Sequence, residues 1–177
     1  VYMPGDKITM LPNALVKRFT LRQGRDCPAL SLYLTVAQDF SITAHESRIE
    51  RVPVVANLRH HDLEPLFNAQ MLAAGLGDFP FAGELNILWQ LAQACLARRG
   101  KTAAAQGDRD YSFHIEGDLA DAQACRVAIT ERLRGSPLDT LVSELMIIAN
   151  SLWGSLFAGN GIAAIYRAQS AGKVRMT

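Results

Sequence analysis

Cysteine is scarce in this chain, long apolar runs are missing, and carboxylates stop well before its end. The three cysteines, Cys27, Cys95 and Cys125, are odd in number and widely spaced, with no C-x-x-C pair and no histidine cluster nearby. That excludes a disulfide framework and argues against a zinc site, which draws its ligands at short spacing. The expectation is reduced, partly buried thiols in a cytoplasmic protein, since free cysteine packs as a small hydrophobe. An uninterrupted apolar run as long as any in the chain, Leu145 to Ala149, falls far short of the ~20 residues that span a bilayer, so no membrane partner is expected. Asp6, Lys7, Lys17 and Arg18 interrupt the start of the chain, which has no apolar core of a signal peptide. After Glu144 there is no acidic side chain, yet Arg167, Lys173 and Arg175 follow. Three such charges fit an anion-facing surface or merely a solvated edge.

What is present suits one folded domain. The 177 residues are 49% hydrophobic and 20% charged, and 18 basic against 17 acidic side chains give a net charge of +1. A chain of this size buries roughly 70% of its unfolded surface and needs no staples. Disorder, collagen and coiled coil are excluded, and no repeat or low-complexity tract appears. The chain begins at Val1, and Lys173–Thr177 alternates polar and apolar residues with no turn residue after them. We expect a slice of a longer domain.

The patterning predicts an α+β fold: a mixed, mainly antiparallel sheet packed by helices, with one long central helix over about 137–157. Val1–Met3 reads as a strand end entering the Pro4-Gly5 turn, and Leu11-Pro12-Asn13 opens a short helix through Phe19. Leu30, Leu32, Leu34 and Val36 alternate with polar residues as in a half-buried strand. A second extended stretch from Ser41 to about Ile49 pairs with it around Gln38-Asp39. Val52–Ala56 carries Pro53 and reads as the lead into a helix over roughly Asp62–Ala74, ended by Gly75 and Gly77. Glu84–Arg99 follows as an amphipathic helix, with Arg98, Arg99 and Lys101 placed to favour its dipole. Thr102–Asp108 is a loop; Tyr111–Ile115 and Cys125–Thr130 are strands.

The clearest signal is Ser136-Pro137-Leu138-Asp139: an N-cap serine, proline at the first helical position and a carboxylate at the third. Leu138, Leu141, Val142, Leu145, Met146, Ala149, Leu152 and Leu156 follow at helical spacing as a core stripe, and Gly159-Asn160-Gly161 closes the helix. Ile162–Tyr166 and Lys173–Met176 read as strands. No G-x-S-x-G elbow occurs, and Gly159-Asn160-Gly161 follows a helix instead of a strand, the wrong context for a dinucleotide loop. His45, His60, His61 and His114 are scattered, and Asp108 and Asp110 lack a further carboxylate. From the residues alone there is no assembled active site.

Val1–Pro12, reading VYMPGDKITMLP, resembles the "VYLP...IPMLP" signature of the ribonuclease II and ribonuclease R superfamily, the RNB catalytic domain. Gly135–Thr177, with Ser136-Pro137-Leu138, Val142–Asn150 and Ile165-Tyr166-Arg167, resembles that domain's long central helix and the strand after it. Ala29–Leu34, Ile49-Glu50-Arg51 and Arg98-Arg99-Gly100 fall between them in the family's order. The resemblance implies a processive 3′-to-5′ hydrolytic exoribonuclease acting on single-stranded RNA and releasing nucleoside monophosphates. It implies Mg²⁺ held by clustered aspartates and an arginine near the scissile phosphate. Divalent ions lower the pKa of an attacking water and neutralise charge building on the phosphate.

In the family's order the aspartates precede the segment matching Val1 and the arginine follows the segment matching Thr177. The expectation is therefore part of one RNB-like catalytic domain, supplying scaffold and RNA-channel wall, with no catalytic residue, no metal ligand and no Mg²⁺ of its own. Its partners would be single-stranded RNA and the flanking parts of its own domain. The family stacks terminal bases on aromatic rings; its clamp tyrosine aligns with Asn57 and the partner position falls near Ala105. The helix's paired acidic residues become Ser143-Glu144. For Glu144 a structural contact and a role in placing the RNA end stay open. Asn150 is expected to cap or to bridge helices. The RNA-binding candidates are Asn57, Arg59, Glu144, Tyr166, Arg167, Lys173 and Arg175. The alternative is a catalytically inactive RNB-like module that binds RNA or protein.

Overall fold

A computed structural model describes residues 2–3, 6–101, 109–117 and 125–166. Thr102–Asp108, Arg167, Lys173 and Arg175, and with them the expected strand at Lys173–Met176, lie outside the described residues.

The fold is α+β, and every strand pairing is antiparallel. Among the described residues the strands form three separate two-stranded ribbons. β1 (Tyr2–Met3) pairs with β2 (Asp6–Lys7), and α1 (Asn13–Phe19) follows. β3 (Arg25–Val36) and β4 (Ile42–Val54) make the longest ribbon, in register from Arg25 opposite Val54 to Thr35 opposite Ala44, with a bulge at Thr35/Val36. β5 (Arg109–Glu116) pairs with β6 (Arg126–Leu133).

β4 corrects the reading of Val52–Ala56 as a helix lead, since its first three residues continue the strand to Val54. Proline lacks an amide donor and is barred only from strands bonded on both sides. In a two-stranded ribbon every strand has a free edge, so Pro53, opposite Asp26, and Pro28, opposite Arg51, are both accommodated. Gly24, at φ +79°, continues the pairing by donating its amide to the Val54 carbonyl at 2.8 Å.

The single helix expected over Asp62–Ala74 is two: α2 (His60–Leu63) and α3 (Ala69–Ala74). Pro65 cannot donate within a helix. Asn68 then restarts it, its Oδ1 accepting from the Met71 amide at 3.0 Å while its Nδ2 donates to the Glu64 carbonyl at 3.0 Å. Gly75, at φ +88°, ends α3 as expected.

α4 (Ala82–Arg98) and α5 (Pro137–Gly159) pack together and supply most of the core. Leu63, Phe67, Leu85, Leu138 and Leu141 are buried in one cluster, with Trp89 edge-on to Phe67 at 6.4 Å. α5 starts as the sequence dictates. Ser136 Oγ accepts from the Asp139 amide at 3.2 Å, and the Asp139 carboxylate accepts from the Ser136 amide at 3.3 Å, a reciprocal cap.

The expected stripe on α5 is only half right. Leu138 and Leu141 are buried and Leu145, Ala149 and Leu152 half-buried, but Val142, Met146 and Leu156 are exposed and Ile148, outside the expected stripe, is buried, because the helix turns its Leu138–Leu141–Glu144–Ile148 line inward. α5 is also long and apolar enough, by length and composition, to cross a membrane, which runs of uninterrupted apolar residues did not reveal. A core helix meets the same test, and α5 carries Glu144 on its buried line. Ile162–Tyr166 has no strand partner among the described residues, against the expected strand.

Two arginines and a tryptophan tie the long ribbon to its surroundings. Arg25 donates to the Lys17 and Arg18 carbonyls at 2.7 and 2.9 Å, a cation closing the end of α1. Arg98, read from sequence as a helix-dipole charge, donates to the Phe40 and Asp39 carbonyls at 2.7 and 2.8 Å and so grips the ribbon's tip. Trp153 Nε1 donates to Ser47 Oγ at 3.0 Å from α5. The cysteines are all free, with Cys27 buried and Cys95 and Cys125 half-buried.

Phe67→Ala should destabilise the fold by about 3–5 kcal/mol, the cost of emptying a fully buried ring site, read as a fall in urea midpoint at unchanged slope. At the ribbon tip, the Ser41 hydroxyl and amide donate to Asp39 and hold its carboxyl below the ordinary range. A depressed carboxyl contributes stability above its unfolded pKa and loses it as pH falls towards the folded value. Asp39→Asn should therefore flatten the loss of stability on acidification below about pH 4, measured by urea unfolding from pH 6 to pH 3.

Candidate functional site

Glu144 decides how the candidate residues are arranged. It sits on the buried line of α5 with a side chain only 4% exposed, and it forms an ion pair with Arg99 at the end of α4. A carboxylate buried without a cation would cost several kcal/mol. Arg99, at the α4 C-cap, lies where α4 meets α5 and supplies the charge. Glu144 Oε2 is buried with no hydrogen-bond partner among the described residues, where the pair engages one of its two oxygens. The geometry gives Glu144 a structural contact, one of the two readings left open from sequence. Arg99 was missed as its partner; the signal was an acid at an inward position of α5, which requires a cation on the helix packed against it.

Asn57 lies between β4 and α2. Its Oδ1 accepts from the Gln23 amide at 2.8 Å and its Nδ2 donates to the Leu21 carbonyl at 2.9 Å. It is therefore a clasp between the ribbon exit and the loop before β3. Beside it opens an apolar groove of about 520 Å³, lined among others by Leu21, Leu30, Val54, Val55, Leu58 and Phe81. Phe81 sits at its rim in a left-handed backbone conformation, φ +67°, immediately before α4. The charged residues adjacent in sequence to the lining are Arg22, Arg51 and Arg59, all exposed. Across the ribbon, Glu50 stands opposite Ala29 and Asp26 opposite Pro53, and Glu50 accepts from the Tyr33 hydroxyl at 2.7 Å.

Arg59 is the N-cap residue of α2, its carbonyl accepting from the Asp62 and Leu63 amides at 3.2 and 3.1 Å. Its side chain stays exposed. His60, next in the chain, faces the first turn of α5, with Nε2 3.3 Å from Ser136 Oγ. The segment holding Asn57 and Arg59 is thereby brought to the start of the helix that carries Glu144, which lies about 12 Å further along. Tyr166 is not part of that grouping. Its hydroxyl donates to the Gly154 carbonyl at 3.2 Å, and its ring covers Gly154 in the far half of α5. Asn150 is exposed within α5, and among the described residues it neither caps nor bridges helices as expected.

Among the described residues most carboxylates are committed to separate partners, with Glu64 and Asp139 meeting at His60. Asp39, Glu46, Glu50, Asp110, Glu131 and Glu144 are each engaged by a hydroxyl or an arginine, and Glu64 and Asp139 face His60. Glu46 is held below the usual range by its bonds from Arg48, whose guanidinium lies over the Tyr33 ring at 4.5 Å. Among the described residues no group of three or more His, Cys, Asp or Glu side chains is arranged to hold a metal ion, so this donor set does not fit a catalytic magnesium site.

Compared with known protein families, the chain matches the RNB domain over residues 1–176. It belongs to the RNB domain family. Searches of curated proteins and of solved structures returned no match. RNB membership places the chain in the ribonuclease II type, a hydrolytic ribonuclease family whose members in general bind RNA. Within this RNB domain the Arg99–Glu144 pair fixes α4 to α5, and the Asn57 clasp fixes the groove.

Replacing Arg99 with methionine should strand Glu144 and cost about 3 kcal/mol in urea unfolding. The double change Arg99→Met with Glu144→Leu should recover most of that loss, because two apolar side chains leave no buried charge.

Proposed function

We propose that this RNB segment serves a processive 3′-to-5′ hydrolytic exoribonuclease in the cytoplasm, acting on single-stranded RNA and releasing nucleoside monophosphates. Its own task is scaffold and RNA-channel wall. The observation that carries this reading is the RNB match across residues 1–176, joined to an exposed Arg59 beside a groove whose sequence-adjacent charges are all arginine. Arginine's planar fork suits phosphate, and an apolar groove accepts bases without reading their sequence.

In this reading the Mg²⁺ of the chemistry belongs to residues other than the described ones, a reading supported by the lack of a metal-holding group among them. Glu144 contributes through α5: held by Arg99, it sets the helix against which an RNA end would lie. Asn57 contributes by shaping the groove, its amide being committed to Leu21 and Gln23. Tyr166 steadies the exit of α5 from its position over Gly154, and Arg167, Lys173 and Arg175 follow it in the sequence as further basic residues.

The decisive assay uses single-stranded RNA labelled at its 5′ end, incubated with the 177-residue chain and Mg²⁺, with binding and product length followed together. The expected result is binding that weakens steeply with salt and no shortening of the RNA. Nucleotide release by this chain would overturn the assignment of the chemistry to other residues. Absence of binding at low salt would overturn the channel-wall reading and leave a protein-binding module as the better account.

A further inference from the structure

His60 occupies a junction that neither the fold nor the proposed reaction explains. Its Nε2 lies 3.3 Å from Ser136 Oγ, 3.4 Å from Asp139 Oδ1 and 3.4 Å from Glu64 Oε1, with the ring about a third exposed at 32%. A nucleophilic triad is the wrong reading. There the carboxylate and the hydroxyl sit on opposite ring nitrogens, whereas here both face Nε2. Ser136 Oγ is also occupied as the N-cap, accepting from the Asp139 amide.

The geometry is that of a joint. Asp139 is itself immobilised, its Oδ2 accepting from the Gly135 and Ser136 amides at 3.1 and 3.3 Å. His60 therefore meets a fixed surface on α5, with Glu64 closing the contact from the end of α2. α2 has four residues, too few to hold a helical turn by its own hydrogen bonds. Its direction is set by tertiary contacts, Leu63 in the core and His60 on the cap. Arg59 precedes His60 and takes its backbone course from the same anchor.

We propose that His60 is a positioning residue, fastening the Asn57–Arg59 segment to the capping box of α5 and so aiming the Arg59 guanidinium at the channel. This rests on the reading of Arg59 as an RNA contact, and the experiment separates the two.

The 177-residue chain is titrated against a fluorescein-labelled single-stranded oligouridylate, as wild type, Arg59→Ala, His60→Ala, His60→Gln and the Arg59→Ala/His60→Ala double variant. Amide hydrogen exchange is recorded on the same proteins. Arg59→Ala and His60→Ala should each weaken binding about five-fold, the scale of one exposed charge contact. Each should also lower the slope of log affinity against log salt by about 0.7, one phosphate contact on a single strand. The double variant should bind no more weakly than Arg59→Ala, and His60→Gln, which keeps a donor at similar reach, should restore binding. Exchange at Asp62 and Leu63 should quicken in His60→Ala while the interior of α4 stays protected, which controls for folding.

Wild-type binding by His60→Ala, multiplied losses in the double variant, or no rescue by His60→Gln would each overturn the proposal. If the wild-type chain binds no RNA, the channel-wall reading falls by itself. Exchange then decides the joint: faster exchange at Asp62 and Leu63 in His60→Ala upholds it, and unchanged exchange overturns it.

Discussion

The Arg99–Glu144 ion pair is the constraint on which the rest of the structure turns. A carboxylate on the inward line of α5 is tolerable only with a cation delivered from the helix packed against it. That requirement sets how α4 and α5 lie together. Their contact then defines the cluster around Phe67 and fixes the start of α5 that the ribbon exit meets through His60. A pair of two aliphatic side chains would hold the helices at least as firmly. The charged pair specifies something more, because Glu144 can be inward only where Arg99 is.

The second organising fact is that long ribbons are held at few points. A two-stranded ribbon has little stability of its own, and the β3–β4 pair depends on Arg25 at its base, Arg98 at its tip and Trp153 from α5. β5–β6 shows the same economy, with Tyr111, Phe113, Val127 and Ile129 exposed on one face and the ion pairs Arg109–Glu131 and Arg134–Asp110 near one end. Such an architecture places side chains on extended arms around a small helical core. It suits a wall along which a flexible strand runs better than a closed pocket.

Local chemistry was legible in the sequence wherever a single short motif decided the outcome. Ser136-Pro137-Leu138-Asp139 capped its helix as read, the Gln38-Asp39 turn closed its ribbon, and Gly75 ended α3. Two of the errors have clear physical sources. Pro53 was judged against the rules for an interior strand, but a two-stranded ribbon offers edges on both sides. Pro65 and Asn68 split a helix that composition alone left continuous, because the Asn68 side chain competes for the very carbonyls and amides that would have joined the halves. Of the candidate site, Glu144 and Asn57 were singled out in the sequence, but their partners, Arg99 and the Leu21–Gln23 loop, come from 45 and about 35 residues away in the chain. Spacing along a sequence carries no signal for such pairings.

Photocrosslinking tests the central claim most directly: this RNB segment is a surface for single-stranded RNA, centred on the ribbon exit and the start of α5. An oligoribonucleotide carrying 4-thiouridine, irradiated with the 177-residue chain and mapped by mass spectrometry, should attach to peptides containing Leu58, Arg59 or Phe81. Crosslinks confined to the β5–β6 ribbon, or none above a denatured control, would contradict it.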